Sequence, residues 1–99
     1  MISRKIKDHE RAQVRVHEYR KSNGDIQNMD ILVSYTTCVL RIDYDSHLVV
    51  CDTLYSPTTI KHIGWFMREK GMNYYIAKQC YEANLMYDFV EKKLLPRPA

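Results

Sequence analysis

The sequence predicts an α+β fold: a three-stranded antiparallel sheet (β-β-β) followed by two C-terminal helices packed on one of its faces. Three observations predict it. Between residues 14 and 54, β-branched and aromatic side chains recur at the period-2 spacing of strands. From Ser56 onward, apolar side chains recur at helical spacing, first as Ile60, Ile63 and Met67, then as Ile76, Cys80, Ala83, Tyr87, Val90 and Leu94. Strands followed by helices are the order of a two-layer sandwich, in which a sheet face and two helical stripes bury one another. A length of 99 residues sets a single domain, 1–99.

Residues 1–12 are polar and charged, and Ile2, Ile6 and His9 at helical spacing mark either a short helix or a basic arm. Val14 to Tyr19 alternates and reads as a first strand with one wet face, lying at an edge of the sheet. Ser22-Asn23-Gly24-Asp25 turns the chain, because Asn-Gly supplies positive φ angles cheaply. Ile31 to Ile42 reads as one long central strand; both of its alternating sets are apolar, which predicts cover on at least part of both faces. Asp43–Ser46 is a turn, and His47 to Leu54 the third strand. If Ile42 pairs with His47, Cys38 lies opposite Cys51 as two small buried thiols. Ser56 caps the first helix, Pro57 occupies its first position, and Gly71 ends it. Asn73 caps a last helix of about five turns, which Pro96 and Pro98 close, leaving a 96–99 tail.

Composition narrows the function. A hydrophobic share of 45% with 27% charged residues excludes disorder over most of the chain. The charge is segregated: residues 1–21 hold seven cations against three acids, 22–60 one against five, and 61–99 seven against four. Basic ends suit phosphate or an acidic partner, which makes Arg4, Lys5, Lys7, Arg11, Arg15 and Tyr19 interaction candidates. Three cysteines, an odd number, do not form a disulfide framework. The first residues lead into charged sequence rather than an apolar leader core, and no apolar run reaches the roughly 20 residues of a membrane span, so a cytoplasmic location is expected.

The densest group of chemistry-bearing side chains is Tyr55 to His62. At a helix start, free N–H groups and the positive end of the helix dipole meet Thr58, Thr59, Lys61 and His62, a physically sound anion site, while Ser56 and Thr59 acting only as caps is the plainer reading. Tyr35, Tyr55, Thr58, Thr59, Lys61 and His62 are therefore the ligand candidates. The four histidines share no metal-ligand spacing, and no catalytic or nucleotide-loop motif is present, so neither metal, cofactor nor enzyme activity is expected.

Ser34, Tyr35, Thr37 and Val39 fit a strand pattern S-Y-x-T-x-V; Tyr55, Ser56, Thr58, Thr59, Lys61 and His62 fit a helix-start pattern Y-S-x-T-T-x-x-H-I. The pair, spanning about residues 31–67, resembles a family of small phage-encoded proteins. The resemblance implies a phage or prophage origin, work in the host bacterial cytoplasm, and no particular reaction. By analogy of gene class it suggests an accessory protein that binds and inhibits a host macromolecule, such as a defence (CRISPR-type) nuclease. The alternative is a nucleic-acid or nucleotide binder using residues 56–62. A homodimer through an edge strand is a further expected partner.

Overall fold

In the computed structural model, which describes residues 1–54 and 56–98, seven strands form one antiparallel sheet in chain order. They are β1 (Ile2–Arg4), β2 (Val14–Tyr19), β3 (Met29–Ser34), β4 (Thr37–Asp43), β5 (Leu48–Cys51), β6 (Leu85–Asp88) and β7 (Lys93–Pro96). Helices α1 (Pro57–Glu69) and α2 (Tyr74–Glu82) are inserted between β5 and β6. The fold is α+β with both helices on one face, but the three-stranded sheet is wrong, and each missed strand has a physical cause.

The run from Ile31 to Ile42 is two strands. It folds back at Tyr35-Thr36, so that Ser34 pairs with Thr37, and Tyr35 takes a φ of +57°. A positive φ is uncommon for a bulky aromatic residue, and no Gly or Asn signals the turn. The first twelve residues are neither helix nor arm: Ile2 pairs with Glu18 and Arg4 with Val16, and Ile6 is fully buried. β2 is consequently interior, between β1 and β3, which removes the edge proposed for a dimer. The actual edges are β1, of three residues, and β7, of four and ending in Pro96, short in the way that discourages edge pairing. The last helix stops at Glu82: Asn84 adopts φ +54°, and the β6–β7 hairpin follows, with Tyr87 opposite Val49. The Asp88 carboxylate accepts the Val90 and Glu91 amides and makes that hairpin's turn.

The register between β4 and β5 pairs Leu40 with Cys51 and Asp43 with Leu48, so the turn runs from Tyr44 to His47. A shift between Leu32 and Val33 leaves Val39 as the extra residue of a bulge. Cys38 therefore faces Val33 and is exposed, while Cys51 shares the core with Cys80; the expected Cys38–Cys51 pair does not form. Burial pushes the Cys51 thiol up to about 12 and that of Cys80 to about 11, which keeps both protonated.

The core lies between the helices and one sheet face. Val14, Val16, Leu32, Leu40, Ile42 and Val49 point toward Ile63, Phe66, Met67, Ala77 and Cys80, all within one cluster. α1 begins as the sequence predicts: Pro57 is at its first position and the Ser56 side chain accepts the Thr59 amide. Gly71, at φ +73°, breaks the chain between the helices, and Asn73 caps α2.

Candidate functional site

The start of α1 is closed by its own residues. The Ser56 hydroxyl accepts the Thr59 N–H at 3.1 Å and donates to Thr59 Oγ1 at 2.9 Å, and Thr59 is buried. Thr58 and Lys61 remain on the surface, and Tyr55 lies outside the described residues. His62 points inward, 3% exposed, with Nδ1 2.8 Å from Oγ of the equally buried Ser34 on β3. Burial, helped by the charge of Lys61, holds the imidazole below its ordinary pKa, so its neutral form is favoured. Tyr35, 61% exposed, tilts against His62 at 6.2 Å between ring centroids. The structure thus joins Tyr35, Ser34, Thr59 and His62 at one end of the sheet and leaves Thr58 and Lys61 outside it.

Two rings absent from the predicted set extend this group. Trp65, one turn after His62 on α1, lies 5.6 Å from it, and His9 stacks on Trp65 at 4.2 Å with 6° between planes. The Lys61 ammonium is 6.0 Å from the Trp65 ring. Helical spacing from His62 signals Trp65. Nothing signals His9, which arrives through the β1–β2 connection.

The basic N-terminus is partly consumed by structure. Arg4 makes a two-pronged contact with Glu69 (2.8 and 2.6 Å) and a further pair with Glu18 at 3.0 Å. Beside them sits Asp30, fully buried, which accepts from Arg20 (2.8 Å), Lys70 (2.8 Å) and the Tyr44 hydroxyl (2.7 Å). Burial alone pushes the Asp30 carboxyl up, but these three donors outweigh it and hold it below the usual carboxylate range. Lys5, Lys7 and Arg11 stay exposed, and the Arg15 guanidinium donates to Ser3 through its Oγ (2.6 Å) and carbonyl (3.0 Å).

Among the described residues, no helix or second sheet packs on the face of the sheet opposite the helices. Strand alternation and register place Arg15, His17 and Tyr19, then Met29, Ile31 and Val33, then Arg41, Leu48, Val50 and Met86 on it. The central side chains there are half-buried, with Gln27, Arg97 and Pro98 beside them. A groove of about 400 Å³ crosses this face between Met29, Arg41, Leu48, Val50, Met86 and Arg97. Its acids are engaged: Asp52 lies between Arg41 (3.1 Å) and Arg97 (3.5 Å), Asp43 accepts the Asp45 and Ser46 amides, and Asp88 holds the β6–β7 turn.

Among the described residues no cluster of His, Cys, Asp and Glu is arranged to hold a metal, and no helix is long and apolar enough to cross a membrane. A family model described as a family of unknown function (DUF8033) matches residues 4–83, which takes in β2 to α2, with only the last residue of β1, and leaves out the β6–β7 hairpin. No curated protein and no solved structure matches the chain.

Proposed function

The chain belongs to this family of unknown function, DUF8033, and from that premise we propose that it works by binding a partner protein through the uncovered face of its sheet. The observation that carries this reading is a mismatch. Antiparallel sheets with one solvated face show polar residues on it. Here, beside the polar Arg15, His17, Arg41, Asp43 and Asp88, the alternate positions hold Tyr19, Met29, Ile31, Val33, Leu48, Val50 and Met86, a largely aliphatic patch with Arg41 in its midst that is more apolar than a face left to water. A partner supplies the second layer. Because Arg15 has no carboxylate partner among the described residues and the acids of this face are occupied, the complementary surface is apolar at its centre and acidic at its rim. The resemblance to small phage-encoded proteins supports a host macromolecule as that partner, in the manner of an inhibitor of a defence nuclease.

A nucleotide or phosphate at residues 56–62 is supported less well. The Ser56–Thr59 pair satisfies the helix start from within, and His62 is turned into the core.

The test is affinity capture from host lysate with the wild type and with the double variant Ile31→Lys/Val50→Lys. The reading expects a stoichiometric protein partner that survives nuclease treatment and is lost with the variant, while circular dichroism of the variant is unchanged. A partner held equally by both proteins, or light scattering that shows a stable dimer closed through this face, overturns it.

A further inference from the structure

On the helix side of the sheet, away from the proposed docking face, the α1–α2 connection and the β6–β7 hairpin flank a half-open cavity of about 400 Å³. Its floor is Ile42, its apolar walls are Met72, Ile76, Tyr87 and Phe89, and its polar wall is Tyr44 with Lys70. The size falls within the range of small-molecule sites, which combine apolar and aromatic walls with a few fixed polar groups.

The polar wall is built, and it is rigid. Asp30, without any exposure, fixes both Lys70 Nζ (2.8 Å) and the Tyr44 hydroxyl (2.7 Å). A buried carboxylate is costly to desolvate, and here two of its three partners are polar groups that line the cavity. Phe89 stands edge-on to Tyr44 at 6.0 Å and 68°, and the Tyr44 ring itself lies under the Arg20 guanidinium at 5.2 Å and the Lys70 ammonium at 5.9 Å, so Phe89 and Met72 are the groups left to receive a flat guest. Because Asp30 already neutralises Lys70, the wall itself carries little net charge. Lys92, exposed at the mouth in the β6–β7 turn, carries the lining charge that no ion pair offsets among the described residues. Tyr87, Phe89 and Lys92 lie beyond the stretch matched by the family model, so the hairpin completes the cavity with residues particular to this part of the chain.

We infer that this cavity binds a small, flat aromatic acid, with its ring between Phe89 and Met72 and its anionic group toward Lys92. The probe is 2-naphthoate, compared with its neutral analogue 2-naphthalenemethanol, followed by NMR of the methyl groups of Ile42, Met72 and Ile76. Ile31, on the opposite face, and the exposed Ile26 are controls. The expected result is saturable shifts confined to the three cavity methyls, with naphthoate about tenfold tighter than the alcohol because the anion gains a charge-assisted contact. Lys92→Gln lies on the surface and leaves the spectrum otherwise intact; it abolishes the difference between the two probes. Absence of saturation at the cavity methyls, shifts centred on Ile31, or equal affinities in the wild type overturns the inference. None of these results bears on the docking face, whose own test reads a different set of residues.

Discussion

Ser34 Oγ and His62 Nδ1 meet at 2.8 Å inside the core, and that contact decides how His62 behaves with pH. Its folded pKa is depressed below the ordinary 6.5, by burial and then by Lys61, so the unfolded chain binds a proton more readily than the folded one. Stability from this group is complete above pH 6.5 and is lost as pH falls toward the folded value. The urea midpoint of the wild type should therefore drop from pH 7 toward about pH 5, above the range where carboxylates titrate. In His62→Gln the midpoint should stay level across that window, and an equal slope in both proteins would refute the assignment. The same residue shows what the sequence left hidden. His62 follows a capped helix start and looks available there, but its direction depends on Ser34, which lies 28 residues earlier and reaches it only through tertiary packing. Tyr35 carries the opposite signature, exposed and held at φ +57°. Tyr35→Gly should raise stability by about 1 kcal/mol in chemical denaturation, since glycine adopts this backbone without the steric cost.

Elements were legible where a local signal ends them and illegible where the ending is tertiary. Ser56, Pro57, Gly71 and Asn73 bound the two helices as local chemistry dictates, and Ser56→Ala should cost about 1 kcal/mol by removing the acceptor for the Thr59 amide, with faster amide exchange in the first turn of α1. The last helix was overextended because Tyr87, Val90 and Leu94 continue the spacing of Ile76, Cys80 and Ala83. That same stretch also alternates, and the choice falls to strand because β5 offers an open edge on which Tyr87 pairs with Val49. Asn84 and the Asp88 turn were the available hints. Tying α1 to β3 is the task of Asp30, which joins Lys70 at the end of the helix to Arg20 and Tyr44. Asp30→Asn leaves two cations without their shared carboxylate and should cost about 3 kcal/mol. The folded carboxyl is held below its ordinary 3.8, so its contribution is present above that pH and is lost as pH falls through the folded value. Loss of stability below about pH 4 should be shallower in the variant than in the wild type, and calorimetry at stepped pH would read both effects.

At the scale of the whole molecule, one strand carries two different environments side by side. Leu32 faces the helices and is fully buried, whereas Ile31 faces the opposite side. The near-continuous apolar run of β3 and β4 suggested cover on both faces; the helices cover one, and the proposed docking reading assigns the other to a partner. The two readings separate by measurement on the isolated protein. If a foreign partner provides the cover, the free chain leaves Ile31 half in water, and Ile31→Ala should cost no more than about 1 kcal/mol, while Leu32→Ala should cost about 3 kcal/mol through lost burial and the cavity left behind. If a second copy provides it, Ile31 is core in the assembly, its truncation should approach the cost of Leu32→Ala, and the unfolding midpoint of the wild type should rise with protein concentration. Urea titrations of both variants at two concentrations a hundredfold apart distinguish these outcomes. The docking reading requires a cheap Ile31 truncation and a midpoint independent of concentration, since a face already closed in the free protein has nothing left to offer a partner.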